Sequence, residues 1–366
     1  MTTSTTTLRA SSGTLLDDHD ALLLDLDGVV YIGAAAVPHA AAALDAARAA
    51  GLRLAYVTNN ASRPPAVVAQ HLSDLGVPAT ADDVVNSAQA AATHLAATLP
   101  AGSPVLLVGG AGLQEALEAV GLRPVTSLAE APVAVVQGFS PHLGWVQLSE
   151  ATHAVRSGLP WTATNLDATV PTPGGPAPGN GLLVHVVAVA SGRRPDAVCG
   201  KPERALFDVA VQRLGARSAL VVGDRLDTDL QGAATAELPG LLVLTGVTDV
   251  TALLAARPGE RPVFVAHDLR GTADAHPAVT VEPAADGSLV ARCRAAVVRV
   301  AAGAATVDGG DGGPDGLDVL RAAAEAVWHI LDGGGVLDVA PFAAEVTAGL
   351  LAAAPGDRAG DVGARG

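Results

Sequence analysis

The chain has 366 residues, enough for more than one domain, and a formal net charge of −15. No block of lysine and arginine stands out, so we expect no nucleic acid and no membrane as partner, because both favour a basic surface. The two cysteines, Cys199 and Cys293, lie far apart, which fits a reducing cytoplasm better than a disulfide framework. The apolar pattern predicts neither a signal peptide nor a membrane span, so we expect a cytoplasmic protein.

From Ala21 onward, short apolar runs alternate with segments of helical period, and this order indicates a parallel sheet covered by helices. Strands are predicted at ALLLDL and LRLAYVTNN, each followed by a helix, in VPHAAAALDAARAAG and RPPAVVAQHLSDLG. A second set of strands and helices begins near Asn86, includes the strand VLLVGG and ends with the helix LLVHVVAVASG. The first rhythm then resumes, from the helix PERALFDVAVQRLG through the strands SALVVGDR, GLLVLTG and RPVFVAH.

After about Arg270 the pattern changes. The segment VTVEPAADGSLVARCRAAVVRV predicts a hairpin that turns at Asp286 and Gly287, and LDVLRAAAEAVWHILDGGG predicts a helix. The last residues, PGDRAGDVGARG, are predicted to be disordered. We therefore expect a small C-terminal α+β extension, to which no motif assigns a function.

Four polar clusters occur where predicted strands end or predicted helices begin. They are Asp25-Leu26-Asp27-Gly28, Thr58-Asn59-Asn60, Gly200-Lys201-Pro202-Glu203, and VVGDRLDTD, which contains Asp224 and Asp229. The carboxyl ends of parallel strands lie along one edge of a sheet, so the clusters can converge there. Composition supports a common site, because Lys201 is the one lysine among 22 basic residues and two of the five asparagines fall in the set.

The chemistry of these residues is that of phosphoryl transfer. Excess carboxylate calls for a hard cation with oxygen ligands, and Mg²⁺ at such sites usually adds a substrate phosphate. Thr58 and Lys201 are then donors to a phosphoryl group, and an aspartate can act as the nucleophile. Each motif alone is also typical of a turn or a helix cap, and GKP is not a Walker-type loop because Pro202 replaces Ser or Thr. Their joint occurrence in this order favours the catalytic interpretation.

In this order, the four motifs resemble those of the haloacid dehalogenase (HAD) superfamily of phosphatases. A similarity to subgroup IIA, with its NagD, nitrophenylphosphatase, phosphoglycolate and pyridoxal phosphatase relatives, is carried by DLDGVVYIG, VTNNASR, GKPE and VGDRLDTDLQGA. TNLDATVPTPGGPAPGNG and LTGVTDV also resemble that subgroup, and the likeness covers roughly residues 22–269. The resemblance implies a Rossmann-like α/β core with a parallel sheet and an inserted α/β cap of the C2 type.

The resemblance also implies catalytic roles. Asp25 would attack phosphorus and become an aspartyl phosphate, and Asp27 would protonate the leaving group and then activate water. Thr58, with backbone N–H groups near Gly28, would hold phosphoryl oxygens, and Lys201 would neutralise charge on Asp25 and the phosphoryl group.

A metal site and a substrate site are implied in the same way. Mg²⁺ would be held by Asp25, Asp224 and the main-chain carbonyl of Asp27, with Asp229 orienting its water shell. The residues expected beside the substrate are Asn59, Asn60, Asn165, Asp167 and the loop from Pro171 to Gly181.

Together these features predict a HAD core in residues 14–83 and 199–270, a cap in residues 84–198 and an extension in residues 271–366. The predicted function is Mg²⁺-dependent hydrolysis of a small phosphomonoester, which could be a sugar phosphate, phosphoglycolate, pyridoxal phosphate or a nucleotide. A HAD-fold phosphotransferase and a receiver-like phospho-acceptor or binding module stay as alternatives, although the order of the motifs disfavours a receiver. VGGAG lacks the spacing of a dinucleotide loop and is interpreted as the first turn of the cap. A homodimer and redox control through Cys199 are left open.

Overall fold

The computed structural model of the chain describes residues 7–353, except residues 173, 302 and 311. The tail predicted to be disordered, residues 355–366, lies outside the described residues. Within the described ranges, no helix combines the length and the apolar character needed to cross a membrane.

The first part of the chain forms half of a parallel α/β core. Its elements are α1 (Leu15–Asp18), β1 (Ala21–Leu24), β2 (Tyr31–Ile32), β3 (Ala35–Ala36), α2 (Ala40–Ala49), β4 (Arg53–Thr58), α3 (Pro65–Asp74), β5 (Val84–Asn86) and α4 (Ser87–Ala96). Strand β1 is buried on both faces, with Leu22 and Leu24 packed into one hydrophobic cluster and Ala21 and Leu23 into another. This explains why its sequence is a continuous apolar run without alternation.

The second part forms its own parallel sheet with helices, which we call the cap (residues 104–198). Its elements are β6 (Pro104–Val108), α5 (Ala111–Ala119), β7 (Arg123–Val125), β8 (Ala134–Gln137), α6 (Trp145–Arg156), β9 (Trp161–Ala163), β10 (Thr169–Thr172), β11 (Gly175–Pro178), α7 (Asn180–Ser191) and β12 (Ala197–Val198). The sheet order is β12-β9-β8-β6-β7, and all paired strands are parallel. Strands β10 and β11 form a separate antiparallel hairpin. Most of the segment expected to be a loop, Pro171–Gly181, is therefore hairpin and the start of α7.

The third part completes the core. It contains α8 (Arg204–Leu214), β13 (Ala219–Gly223), a wide π-helical turn (Leu226–Leu230), α9 (Gln231–Thr235), β14 (Gly240–Val243), α10 (Val250–Leu254) and β15 (Phe264–Ala266). The core sheet has the order β15-β14-β13-β1-β4-β5 and is parallel throughout. The predicted α/β fold class is thus confirmed. The core sheet includes β5, so it continues past the predicted core limit at residue 83.

The last part is an antiparallel sheet with two helices, which we call the C-terminal unit (residues 279–353). It contains β16 (Val279–Pro283), β17 (Leu289–Cys293), β18 (Ala296–Ala301), β19 (Ala304–Gly309), α11 (Asp318–Asp332) and α12 (Val339–Ala353). The predicted hairpin joins β16 to β17, and Gly287 in its turn has a φ of +83°, a conformation that glycine adopts without a steric penalty. One hydrophobic cluster joins this unit to β14, α10 and β15 of the core.

Candidate active site

The site lies where three neighbouring strands of the core sheet end. Asp25 follows β1, Thr58 ends β4, and Asp224 follows β13. Because β1 pairs with β13 on one side and β4 on the other, in parallel, these three side chains meet at one carboxyl edge. The predicted convergence of distant motifs therefore occurs.

Lys201 lies three residues before the start of α8, and its side chain reaches the same carboxyl edge of the core sheet. Its side chain is buried, and Nζ donates to an Asp25 carboxylate oxygen and, over 3.0 Å, to the Val57 carbonyl. Nζ also lies 2.7 Å from Asp229 Oδ1. Burial alone would lower the pKa of Lys201, but Asp229 and Asp25 outweigh it and raise that pKa above its usual value. The ammonium therefore stays charged and compensates two crowded carboxylates.

Three carboxylates form a group that fits a metal ion. Asp25, Asp224 and Asp229 each offer one oxygen, and these oxygens lie within 4.8 Å of one another. Burial raises the pKa of Asp224 and of Asp229 to about 6, and mutual repulsion among the carboxylates adds to this effect. Asp224 Oδ1 is buried and has no hydrogen-bond partner among the residues that the structure describes. A buried, unpartnered carboxylate oxygen beside two others suits a hard cation such as Mg²⁺.

Two glycines make room for Asp224. Gly28 has a φ of +85°, and a Cβ built there would lie 2.5 Å from Asp224 Oδ2. A Cβ at Gly246 would lie 2.0 Å from the same oxygen, which accepts a hydrogen bond from the Val247 N–H over 2.7 Å. The Gly28 N–H itself donates to the Tyr31 carbonyl over 2.8 Å, so in this arrangement it is not free to hold a phosphoryl oxygen. Gly28 shapes the site by its lack of a side chain.

The loop after β14 was not identified as part of the site from the sequence, although the segment LTGVTDV was noted. It supplies Gly246 and Val247 to Asp224, and Thr245 Oγ1 donates to the Gly28 carbonyl. A glycine directly after a buried strand was the one available signal, and it is common in ordinary turns.

Asp27 differs from Asp25 in its surroundings. Its side chain is exposed to solvent, yet nearby protein displaces part of its hydration and raises its pKa, while Lys201 and Arg63 act in the opposite direction. Burial also raises the pKa of Asp25, against the opposing charge of Lys201. The two carboxylates therefore have different environments: Asp25 lies beside the ammonium of Lys201, whereas Asp27 is exposed to solvent.

The second motif forms a tight turn after β4. Thr58 Oγ1 accepts from the Asn60 N–H over 3.1 Å, which leaves the Thr58 hydroxyl hydrogen available to a ligand. Asn60 Oδ1 accepts from the N–H and the hydroxyl of Ser62, over 3.0 and 2.8 Å. Asn60 is exposed at the edge of the site, but its amide oxygen serves the turn.

Asn59 and Asn165, expected beside the substrate, instead make contacts within the protein. Asn59 Oδ1 accepts from the Lys201 N–H over 2.7 Å, and Asn59 Nδ2 donates to the Lys201 carbonyl and to Asp167 Oδ1, each over 3.0 Å. Asn165 is buried and donates from Nδ2 to the Asn59 carbonyl over 2.7 Å. Asp167 is half-buried, and its burial raises its pKa. Of these residues, Asp167 is the one whose carboxylate retains an oxygen for other contacts.

Cys199 gives no support to redox control. The thiol is buried, and burial raises its pKa to about 12, so the reactive thiolate is scarce at neutral pH.

Comparisons with known proteins agree with this geometry. The sequence model of the haloacid dehalogenase-like hydrolases matches residues 22–123, and a second HAD-hydrolase-like model matches residues 198–272. The chain is 44% identical over 321 residues to the D-glycerol 3-phosphate phosphatase of Mycobacterium tuberculosis, which covers 86% of this chain and 87% of that protein.

Solved structures give the same result. The structure of a glycerol phosphate phosphatase from M. tuberculosis in complex with magnesium has a TM-score of 0.79 and 45% identity, covering 87% of this chain and 92% of that chain. The 4-nitrophenylphosphatase of Thermotoga maritima has a TM-score of 0.66 and 31% identity, covering 71% of this chain and 98% of that one. The motifs, the site and these relatives lead to one conclusion: the chain belongs to the haloacid dehalogenase-like hydrolases, within the branch of phosphatases related to NagD and the nitrophenylphosphatases.

Proposed function

We propose that the chain is a Mg²⁺-dependent phosphatase that hydrolyses a small polyol phosphate, with glycerol 3-phosphate as the leading candidate. The observation that carries the proposal is the contact of Lys201 with both Asp25 and Asp229, next to the unpartnered oxygen of Asp224. The choice of substrate rests on the relative from M. tuberculosis, which matches this chain over most of its length.

In the proposed first step, an Asp25 carboxylate oxygen forms a bond to phosphorus while the bond from phosphorus to the substrate oxygen breaks. Asp27, whose pKa is raised by burial, gives a proton to the departing oxygen. The hydroxyl of Thr58 and the ammonium of Lys201 donate to the phosphoryl oxygens as their charge develops.

In the second step, Asp27 takes a proton from a water molecule, whose oxygen bonds to phosphorus as the bond to Asp25 breaks. Inorganic phosphate leaves, and Asp25 returns to its free form. Asp25, Asp224 and the main-chain carbonyl of Asp27 would hold Mg²⁺, with Asp229 behind them. When bound there, Mg²⁺ neutralises charge on the phosphoryl oxygens throughout the reaction.

The entrance to the site would select the leaving group. Two polar side chains lie close to the site. Asp167 accepts from Asn59, and Arg225 donates to Asp227 over 2.9 and 3.1 Å. Polar groups of this kind would bind a leaving group with hydroxyls more favourably than an apolar one. The β10–β11 hairpin follows Asp167 closely in the chain, and we propose that this segment of the cap contacts the leaving group.

Phosphate release from a panel of monoesters tests the proposal. The panel holds glycerol 3-phosphate, phosphoglycolate, pyridoxal phosphate, a nucleoside monophosphate and p-nitrophenyl phosphate, each with Mg²⁺ and with EDTA. We expect Mg²⁺-dependent turnover with the highest kcat/KM for glycerol 3-phosphate, and a loss of at least about a thousandfold in D25N. Turnover that survives EDTA or D25N would contradict the proposal. Transfer of phosphate to added glycerol in preference to water would favour the phosphotransferase alternative.

A further inference from the structure

Three of the five asparagines form one connected chain of hydrogen bonds that ends at Lys201. Asn180 Nδ2 donates to the Asn165 carbonyl over 2.8 Å, and Asn165 Nδ2 donates to the Asn59 carbonyl over 2.7 Å. Asn59 then binds the backbone of Lys201 through its side-chain amide. Asparagine suits each link, because one short side chain offers both donors and an acceptor.

Asn59, the last residue of this chain of hydrogen bonds, binds both the N–H and the carbonyl of Lys201. Asn59 accepts from the Lys201 N–H over 2.7 Å and donates to the Lys201 carbonyl over 3.0 Å. Two hydrogen bonds from one amide fix where the Lys201 backbone stands relative to the turn after β4. The position of Nζ, between Asp25 and Asp229, follows from that backbone.

The first links belong to the cap. Asn180 is the first residue of α7 and also reaches the Gln137 carbonyl, at the end of β8, over 3.4 Å. Asn165 follows β9 and is buried, as is Asn180. The chain of asparagines thus runs from the carboxyl edge of the cap sheet to the catalytic lysine of the core.

The backbone at Gly200, next to Lys201, is tightly packed. A Cβ built at Gly200 would lie 2.5 Å from Asn59 Oδ1 and 2.6 Å from the Thr164 carbonyl. The residue before Lys201 is therefore packed between Asn59 and the end of β9. A shift of the cap edge cannot be absorbed there and must move Asn59, Lys201 or both.

We propose that Asn59, Asn165 and Asn180 are positioning residues that couple the location of the cap to the placement of Lys201. The proposal rests on the phosphatase function proposed above and extends it to the cap. Closure of the cap over a substrate would then seat the ammonium against the phosphoryl group, and an open cap would leave it less well placed.

The test uses the full chain with Mg²⁺ and orthovanadate, which imitates the phosphoryl group in transfer. In N165A, kcat/KM for glycerol 3-phosphate should fall and the vanadate Ki should rise by the same factor, about 10- to 100-fold. N180A should shift both quantities in the same direction by less, because it acts one link further from Lys201. A residue with only a structural role would reduce the active fraction, which lowers kcat but leaves Ki unchanged.

Asn86 supplies the matched control. It is a buried asparagine outside the chain of three, and it caps α4 by accepting from the Gln89 N–H over 2.9 Å. N86D keeps that cap and should leave the vanadate Ki unchanged. Should N165A not fold, N165D carries the same test, since it keeps the oxygen that accepts from the Asp167 N–H and loses the donor to Asn59.

An unchanged vanadate Ki in the folded Asn165 variant would overturn the coupling. The proposed function fails separately, if the unmodified chain hydrolyses no monoester of the panel.

Discussion

The cap and the C-terminal unit are both attached to the core through apolar surfaces, but the side chains at the two junctions differ in size. Between cap and core lies α4, whose buried apolar residues are four alanines and one leucine, Ala88, Ala90, Ala91, Ala92 and Leu95. Helix α4 packs on α5 of the cap and on α8 of the core. Helix α11 of the C-terminal unit also buries four alanines, but it adds Leu320, Val327 and Trp328, which share one cluster with Leu253 and Val265 of the core.

This difference indicates two mechanical roles. Alanine surfaces are smooth and interlock little, so helices packed through them can slide by small amounts at low cost. Large interlocking side chains, supported by hydrogen bonds, have no neighbouring arrangement of similar energy. Trp328 donates from Nε1 to the Leu253 carbonyl over 3.1 Å, and Arg321 donates to the Val265 carbonyl over 2.8 Å. We therefore expect a cap that moves and a C-terminal unit that does not.

The largest expected loss of stability comes from removing Trp328, which lies at the junction between the C-terminal unit and the core. W328A should lower the free energy of unfolding by about 3–5 kcal/mol, because it opens a cavity in the shared cluster and removes the hydrogen bond from Nε1 to the Leu253 carbonyl. Denaturant unfolding measures this loss. In the folded fraction, KM should be unchanged, since the partners of Trp328, the Leu253 carbonyl and the Arg261 guanidinium, lie outside the site.

Trp145 offers the control, because it lies on α6 of the cap with 81% of its surface exposed. W145A should change the free energy of unfolding by less than about 0.5 kcal/mol. Equal losses in W328A and W145A would mean that the junction of the C-terminal unit is not the strong one.

The junction between the cap and the core is tested by adding one methyl group to the cap, at Gly112. A Cβ at Gly112, in α5 of the cap, would lie 2.9 Å from the Ala61 carbonyl oxygen in the turn that follows Asn60. G112A should push the cap away from that turn and lower kcat/KM for glycerol 3-phosphate about tenfold, because the closed arrangement is disfavoured. The free energy of unfolding should fall by less than in W328A, because the added methyl group opens no cavity.

Gly349 in α12 is the matching helical glycine, where a Cβ meets nothing within 4 Å. G349A should leave kcat/KM unchanged. A large stability loss in G112A with unchanged kinetics would show that the cap junction is as rigid as the other one.

The last prediction concerns a pH dependence of the junction between the C-terminal unit and the core. Glu325 in α11 is buried and accepts from the Leu8 N–H, and burial raises its pKa to about 7. Between the ordinary glutamate pKa and 7, the folded chain keeps a proton that the unfolded chain releases, so the contribution of Glu325 to stability falls as pH rises through that window. E325Q removes this titration. The difference in unfolding free energy between E325Q and the unmodified chain should therefore grow in favour of E325Q by about 1–3 kcal/mol from pH 5 to pH 8.

Urea unfolding at both pH values measures this difference, and E115Q, at an exposed position of α5, is the control that should show no such growth. A constant difference for E325Q across the range would mean that Glu325 is ionised in the folded chain at pH 5.

Both halves of the core sheet, and the meeting of the motifs at its carboxyl edge, could be predicted from the sequence. The run before Asp25 is apolar at every position because β1 is buried on both faces, and the four polar clusters lie at strand ends or just before a helix. These are local signals. The one lysine and the scarce asparagines added weight, because composition elsewhere favours other residues.

Long-range contacts could not be predicted. Asn59 follows the strand that ends at Thr58, so a substrate contact was expected, but its amide is used by Lys201, far away in the sequence. β5 is short and buried, and no pattern in three residues distinguishes a core strand from a cap strand. No motif in the C-terminal unit predicted how it packs on the core, because that packing depends on side chains such as Trp328 that meet α10 only after folding.

The most direct test of the account is the search for a phosphoryl group on Asp25. In D27N the first step can proceed with p-nitrophenyl phosphate, whose leaving group needs no proton, but the second step lacks its base. The intact D27N protein should therefore gain the mass of one phosphoryl group, and peptide mass spectrometry should locate it on Asp25. A D27N protein that stays unmodified, or a phosphoryl group on another residue, would contradict the account.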